Sequence, residues 1–353
     1  MNRIAKVSLK ILKWVGIIIL SLIVLFFAVR RVGQGVTRRI PKGGINKSMY
    51  VDINGSKQWI SIYGQDRNNP VLLYLHGGPG SATSLYDYAF TRKWADVYTV
   101  VTWDQRGCGK SYDRSHPQTI TADVMMQDGK AMTEFLRDYL QVEKITLLGH
   151  SWGSYFGANL AQAYPEYYDA FIGTGQFVDW EENEHRLYAA ALTWSENDPD
   201  GRRMVEEWGA TLGTEEEALL LRNGIMERYG YGMMKDGTDY NMVTTVLFNP
   251  YYSLKDILVF LRSGEEIFGQ YAPFVFSEGF KEMTLLGRYN YAIPYYNING
   301  DIDYQTNYSI ACEYFDQVNA PAKQMFVMQN ATHGLLESRS QEFSACLHQI
   351  AKL

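Results

Sequence analysis

The segment Lys144-Ile-Thr-Leu-Leu-Gly-His-Ser-Trp-Gly153 decides the fold. In it an apolar run meets the pentapeptide G-x-S-x-G, and a helix-like stretch continues to Tyr164. A strand-to-helix turn this tight forces strained backbone angles on its serine and leaves space only for glycines around it. We therefore predict that Ser151 stands above a sheet as a nucleophile, beside the N–H of Trp152 at the positive end of a helix, where an oxyanion is stabilised.

Strand-like and helix-like segments alternate on both sides of this turn. Continuous apolar runs are typical of strands buried on both faces of a parallel sheet, and they occur at residues 70–75, 98–103, 145–148, 170–174, 293–298 and 324–328. This alternation predicts an α/β fold with a mostly parallel central sheet. It stops at residues 178–288, where only helical patterns occur, and we predict that this insertion forms a lid over the carboxyl edge of the sheet.

The amino terminus differs from the rest of the chain in charge. Residues 1–42 hold nine of the 33 basic residues and none of the 39 acidic ones, so the remainder carries a net charge of about −15 and should repel nucleic acid. The cations bracket an uncharged apolar run from Trp14 to Val29, which is close to the length that spans a bilayer.

The apolar run could be a retained anchor or a cleaved signal peptide. Small residues typical of a cleavage site do not follow Phe27, and Arg30-Arg31 close the run directly, which favours retention. A short amino tail before a single span usually stays in the cytoplasm, so we expect an extracytoplasmic body. The predicted organisation is an anchor (1–31), a basic tether (32–46), a first core part (47–177), the cap (178–288) and a second core part (289–353).

A serine nucleophile needs a base, and the base needs an orienting carboxylate. Of the six histidines, His333 follows the last strand candidate and precedes the final helix, where an imidazole could reach Ser151. For the acid, Asp301 and Asp303 both follow the strand at residues 293–298. The carboxylate must clear the strand end and turn back toward the His333 loop, which favours Asp303 and leaves Asp301 to cap its own turn.

A second oxyanion donor should come from the loop His76-Gly77-Gly78-Pro79-Gly80, which follows the strand at residues 70–75. Its glycines allow the N–H of Gly78, or that of Gly77, to approach a substrate oxygen closely. Neither a metal nor an organic cofactor is implied by this chemistry, and the three cysteines, Cys108, Cys312 and Cys346, form no zinc-ligand pattern.

Three motifs in order, HGGPG at 76–80, DQRGCGKS at 104–111 and GHSWGS at 149–154, resemble the prolyl aminopeptidase (proline iminopeptidase) branch of the α/β-hydrolases. The resemblance runs from about Tyr50 to the carboxyl terminus. It implies an α/β-hydrolase fold with a helical cap, with Ser151, Asp303 and His333 as the triad. It also implies Gly78 and Trp152 as oxyanion donors.

The chain departs from that family's pattern at His150, in the acid loop Gly-Asp-Ile-Asp and in the cap. Those peptidases bind a free amino terminus through cap carboxylates, and Glu181, Glu182 and Glu184 lie early in this cap, although acids at a helix start more often pair with the helix dipole. The sequence therefore predicts a membrane-anchored serine hydrolase that cleaves an ester or amide of a small molecule or short peptide. The alternatives are a prolyl aminopeptidase and a non-catalytic, membrane-bound binding protein.

Overall fold

The computed structural model describes residues 3–210, 212 and 216–353. Its centre is an eight-stranded sheet in the order β1-β2-β4-β3-β5-β6-β7-β8. The strands are β1 (Ile45–Ile53), β2 (Ser56–Gly64), β3 (Val71–Leu75), β4 (Thr99–Asp104), β5 (Ile145–His150), β6 (Tyr168–Thr174), β7 (Tyr295–Gly300) and β8 (Lys323–Met328). From β4 onward every pairing in this order is parallel, which confirms the predicted mostly parallel sheet.

The two strands at one edge of the sheet form an antiparallel hairpin. Asn54 and Gly55 join β1 to β2 with positive φ angles of 49° and 75°. These two residue types adopt such angles readily, and the resulting turn matches the twist of the flanking strands. The dipeptide Asn54-Gly55 therefore accounts for the hairpin at this edge of the sheet.

Fourteen α-helices are found in the described residues: α1 (Arg3–Thr37), α2 (Tyr88–Thr91), α3 (Ala122–Leu140), α4 (Trp152–Ala163), α5 (Trp180–Trp194), α6 (Pro199–Gly209), α7 (Glu216–Arg228), α8 (Met242–Phe248), α9 (Leu254–Arg262), α10 (Gly264–Val275), α11 (Glu278–Lys281), α12 (Tyr308–Gln317), α13 (Leu335–Ser338) and α14 (Ser340–Ile350). Apolar cores cover both faces of the sheet. The central strands β3, β4 and β5 are buried along their whole length, which explains their uninterrupted apolar sequence.

Helices α5 to α11 all lie between β6 and β7 in the chain. The two ends of this insertion meet at an antiparallel bridge between Asp179 and Thr284, and the N–H of Leu285 donates to the carbonyl of Val178 at 2.7 Å. The insertion therefore begins and ends at neighbouring positions, where residues 178–179 pair with residues 284–285. It has a small apolar core of its own, which includes Leu187, Val205 and Trp208.

Helix α1 holds the apolar amino-terminal run. The part from Lys10 to Thr37 is long and apolar enough to cross a membrane, with a mean hydropathy of 2.6 over its most apolar window. The helix continues to Thr37, so the first six residues of the predicted tether (32–46) are helical, and β1 begins at Ile45. Residues 1 and 2 of the predicted anchor lie outside the described residues.

Candidate active site

Ser151 lies at the corner between β5 and α4. Its backbone has φ 56° and ψ −125°, a strained conformation for a residue with a side chain. A Cβ on Gly149 would lie 2.1 Å from the carbonyl oxygen of Gly153, and one on Gly153 would lie 2.1 Å from that of Leu75. Only glycine fits at either position, so the pentapeptide is matched to this turn. Ser151 is partly exposed.

The loops after β7 and β8 bring Asp303 and His333 together. His333 Nδ1 lies 2.7 Å from Asp303 Oδ2, and both side chains are almost completely buried. The carboxylate also accepts hydrogen bonds from the N–H groups of Gln305 and Thr306 and from the Thr306 hydroxyl, at 2.9–3.1 Å. Because an ionised carboxylate can only accept, the shared proton belongs on Nδ1 of His333. Nε2 is then left as an acceptor, which is the form that a general base requires.

Ser151 and the His333 ring both lie beside the end of β6, at Thr174 and Gly175. The N–H of Ser151 donates to the carbonyl of Thr174 at 3.0 Å, and a Cβ on the next residue, Gly175, would lie 2.9 Å from His333 Cε1. Within the described residues, Ser151 Oγ makes no hydrogen bond to the His333 ring. Such bonds are often long in a free enzyme and shorten when substrate binds.

His150 is a supporting residue that the sequence noted only as a departure from the family pattern. Its ring packs on that of His333 with the centroids 4.7 Å apart, and its Nε2 donates to the His333 carbonyl at 3.0 Å. Burial lowers the pKa of His150 to about 3, so this imidazole stays neutral beside the proposed base. The position of His150 directly before the serine in G-x-S-x-G was the sequence feature that could have indicated this contact. No sequence feature indicated that Thr306 would contact both Asp303 and His333.

The glycine loop after β3 adjoins the serine, as expected for an oxyanion loop. A Cβ on Gly77 would lie 3.0 Å from Ser151 Cβ, so there is little space between this loop and Ser151. Trp152 is the first residue of α4, and the first four N–H groups of a helix have no partner within it. Gly78 has φ 115°, a conformation that only glycine adopts readily.

Buried polar contacts fix the loop's position. The N–H of Gln105 donates to His76 Nε2 at 3.3 Å, and His76 Nδ1 donates to the carbonyl of Gly77 at 2.8 Å. Burial lowers the pKa of His76 to about 4, which keeps the ring neutral for this bridging role. The segment 104–111 thus supports the loop, and Cys108 is buried with a raised thiol pKa because of that burial.

Aromatic side chains of the insertion pack beside the turn that holds Ser151. Phe274 of α10 and Phe280 of α11 pack against the Trp152 ring, with ring centroids 5.5 Å and 5.9 Å away. The Tyr271 ring would collide with any Cβ on Gly80, so α10 rests directly on the glycine loop. On the other side, the N–H of Gly334 donates to the carbonyl of Met233 in the insertion at 2.8 Å. The insertion therefore contacts both the glycine loop and the loop that carries His333.

Of the three cap carboxylates that the family resemblance suggested for substrate binding, two are paired with arginines and one is mostly exposed. Glu181 is mostly exposed and faces His185 at 3.7 Å, and Glu182 accepts from Arg186 at 2.7 Å. Glu184 is buried, and both of its oxygens lie 2.9 Å from Arg222 Nε. The carboxylate nearest the acid loop is therefore already neutralised by a guanidinium.

We expect Glu184→Gln to lower the free energy of unfolding by about 3 kcal/mol, because it leaves the buried Arg222 guanidinium without a counterion. Thermal or denaturant unfolding of the detergent-solubilised protein measures the loss. Glu181→Gln is the matched control, and its effect should stay within about 0.5 kcal/mol because that carboxylate is exposed. If Glu184→Gln kept full stability and instead raised KM only for substrates with a free amine, Glu184 would be a substrate ligand.

The described residues contain no group of three or more His, Cys, Asp or Glu side chains that could hold a metal ion. The groups near Ser151 are a carboxylate–imidazole pair, backbone amides of the glycine loop and aromatic rings. This set matches acyl transfer through a serine.

Comparison with known proteins agrees with the fold. A family model described as the alpha/beta hydrolase fold matches residues 70–339. The probable aminopeptidase YbaC of Bacillus subtilis (strain 168) is 35% identical over 140 residues, which cover 39% of this chain and 44% of that protein. The proline iminopeptidase of Lactobacillus helveticus (strain DPC 4571) is 28% identical over 163 residues, which cover 41% and 54%. The chain thus spans about half the length of these curated relatives.

A solved structure extends the likeness over more of the chain. The crystal structure of proline iminopeptidase from Mycobacterium smegmatis superposes with a TM-score of 0.62 at 20% identity and covers 87% of this chain and 98% of that one. At 20% identity the superposition shows the fold alone. Together with the relatives, it confirms the predicted resemblance to prolyl aminopeptidases.

Proposed function

This chain belongs to the α/β-hydrolase family, and we propose that it is a membrane-anchored serine hydrolase that cleaves an ester or amide through an acyl-enzyme. The main support is the buried 2.7 Å contact between His333 Nδ1 and Asp303 Oδ2, beside a serine in a strained strand-to-helix turn. A polar pair buried this deeply, and oriented by three further donors, is typical of a base held ready for catalysis.

In the proposed reaction, Ser151 Oγ attacks the substrate carbonyl carbon while His333 Nε2 takes the hydroxyl proton. The N–H groups of Trp152 and Gly78 stabilise the oxyanion, and Asp303 stabilises the imidazolium that forms. His333 then gives its proton to the leaving group as the bond from carbon to that group breaks. Water, deprotonated by His333, attacks the acyl-enzyme, and the proton returns to Ser151 as the acid product leaves.

The surroundings of the serine favour an apolar acyl group over a charged amine. Aromatic side chains of α10 and α11 form the wall next to Trp152, while Glu181, Glu182 and Glu184 are occupied by cationic partners or solvent. A free amino terminus binds best to a carboxylate with no other counterion. We therefore propose an ester or a neutral amide as substrate. The second candidate is a prolyl aminopeptidase, which the names of the relatives favour.

One pair of substrates separates these candidates. Proline 4-nitrophenyl ester and its N-acetyl derivative share the leaving group and the proline ring that bears the scissile carbonyl, but only the first has a free amine. We expect kcat/KM for the two to agree within about tenfold, because the one buried carboxylate of the three that the resemblance suggested, Glu184, already has Arg222 as its counterion. Steady-state hydrolysis by the detergent-solubilised full chain, with Ser151→Ala as the blank, measures the ratio. A preference for the free amine of more than about 100-fold would establish the aminopeptidase instead.

We also propose that α1 is a retained anchor rather than a cleaved signal peptide. Its carboxyl-terminal end is part of the folded body: Arg30 and Gln34 are buried there and donate hydrogen bonds to backbone carbonyls that follow α8. A Cβ on Gly33 would lie 2.2 Å from the Phe248 ring, so the helix packs closely against that residue. Cleavage within or after the apolar run would weaken or remove this contact.

The intact mass of the mature protein tests retention. Expressed with its native amino terminus and extracted from membranes, the protein is expected to keep residues 10–29 and to need detergent for release. Carbonate washing of the membranes before extraction provides the control for peripheral binding. A shortened, wash-released protein would identify the segment as a signal peptide.

A further inference from the structure

The end of α1 is fixed to the insertion at the carboxyl end of α8. Arg30 Nη1 donates to the carbonyl of Leu247 at 3.0 Å, and Thr37 Oγ1 donates to that of Phe248 at 2.8 Å. Gln34 Nε2 reaches the carbonyl of Asn249 at 2.9 Å. The last carbonyls of a helix have no partner within it and carry partial negative charge, so a guanidinium stabilises them. The anchor helix thus caps α8 directly.

This contact fixes where α8 lies relative to a bilayer. Val29, the last residue of the apolar run, directly precedes Arg30, and a helix rises about 1.5 Å per residue. The side chains of α1 before Arg30 are exposed along the apolar run, as those of a lipid-embedded helix would be. The lipid boundary therefore lies within about one helical turn of the end of α8.

Helix α9, which follows α8 after a short loop, has an apolar outer face. Leu258 is 51% exposed, Val259 42% and Leu261 67%. The remaining exposed positions of this helix are Lys255 and Arg262, and none of its exposed residues is acidic. Single exposed aliphatic residues are ordinary on a soluble protein, but three on the exposed side of one short helix, together with two cations and no exposed acid in that helix, are characteristic of a helix that lies at a membrane surface.

The orientation of α9 is set by its inner face. Ile257 is buried, and Asp256 pairs with Lys110 Nζ at 3.2 Å while also capping the helix through Ser253. The only acid of the helix is therefore used on the protein side. Leu258 and Leu261 are exposed because the helix cannot turn them inward without breaking these contacts.

We propose that the outer face of α9, together with Val243 of α8, is a lipid-surface contact that holds the cap against the membrane. The aliphatic side chains would enter the boundary between headgroups and acyl chains, and Lys255 and Arg262 would meet anionic headgroups. Val243 is 75% exposed on the helix that the anchor caps. This inference rests on the proposed anchor. Helices α1 and α9 would then contact the same bilayer at neighbouring positions.

The contact would act on the wall of the active site. Helix α10 begins two residues after α9 ends, and its Tyr271 and Phe274 lie over the glycine loop and the Trp152 ring. A lipid contact at α9 would therefore position the helix that packs on the glycine loop and on the Trp152 ring. Substrates dissolved in the bilayer would reach this wall without crossing bulk water.

Depth-sensitive fluorescence tests the proposal. Leu258→Cys, in the full-length protein, is labelled with an NBD fluorophore and reconstituted in vesicles of phosphatidylcholine and phosphatidylglycerol. Leu220→Cys on α7 is the matched control. Leu220 is 69% exposed, but α7 contacts the loop after β7, where Arg222 donates a hydrogen bond to Gln305. Unmutated protein gives the background from Cys312 and Cys346.

We expect a blue shift of the emission at position 258, and loss of the fluorescence when part of the lipid carries a spin label near the headgroup. Position 220 should show neither effect. Equal emission at both positions would overturn the proposal, and so would a blue shift at 258 without lipid quenching, which would mean that protein, such as a second copy, covers the face. Release of the protein from the vesicles by carbonate would overturn the anchor as well, whereas retention without quenching at 258 overturns only this inference.

Discussion

Replacing Ser151 by alanine is expected to lower kcat/KM for ester hydrolysis by at least about 10³-fold and to abolish labelling by a fluorophosphonate probe. The substitution removes the only atom that our mechanism lets attack the carbonyl carbon, while the amides of Trp152 and the glycine loop still bind the substrate oxygen. The fold should persist, because the turn needs the backbone of residue 151 and not its hydroxyl. Steady-state kinetics and in-gel fluorescence measure the two effects.

Ser115→Ala is the control for this substitution, because Ser115 is an exposed hydroxyl in a loop and should keep full activity and full labelling. The same experiment tests the rival from another class, a membrane-bound binding protein on this fold. That rival predicts no labelling of the correctly folded wild-type protein. Labelling that persisted in Ser151→Ala would move the nucleophile to another residue and would contradict the proposed mechanism.

The sequence was most informative where one residue type is the only one that fits. The glycines at 149 and 153 could be interpreted without coordinates, because a Cβ at either would collide with neighbouring backbone. The buried strands were also readable, since a strand covered on both faces must be apolar throughout. The elbow, the sheet and the loops that carry Asp303 and His333 were therefore all predictable.

The supporting contacts were much less readable, because they join residues that are distant in the chain. His150 meets His333 across 183 positions, and Arg30 meets Tyr252 across 222. No periodicity or local motif encodes such pairs. For the same reason the cap carboxylates could not be assigned: only the fold shows that Arg222 neutralises Glu184.

The tether illustrates a third limit. A polar, glycine-containing, basic segment such as residues 32–46 is typical of a linker, because isolated helices with glycine are weak. Here the helix continues to Thr37 because tertiary contacts stabilise it, and Gly33 is needed for close packing on Phe248. A residue that disfavours a helix in isolation can thus be required where the helix docks.

Asp303→Asn is expected to lower kcat by about 10⁴-fold while leaving the fold intact. The asparagine oxygen can still accept from the N–H groups of Gln305 and Thr306, so the loop keeps its hydrogen bonds. Its amide would donate toward His333 Nδ1, and the imidazole proton would then move to Nε2. An imidazole protonated at Nε2 cannot take the Ser151 proton, and the charge that stabilises the imidazolium is lost as well. Steady-state and single-turnover kinetics measure the loss.

Asp301→Asn is the matched control, because it removes the other carboxylate of the same loop. Asp301 Oδ1 is buried without a hydrogen-bond partner, so the expected cap of its own turn is not formed by this atom, whereas Asp303 Oδ2 lies 2.7 Å from His333 Nδ1. We therefore expect Asp301→Asn to stay within about threefold of the wild-type kcat, since it removes no group that meets the reacting atoms. The two variants change charge and volume identically, so the difference between them isolates contact with the imidazole. Equal losses of kcat would mean that activity depends on the loop as a whole and not on one carboxylate. A larger loss in Asp301→Asn would assign the acid of the triad to Asp301.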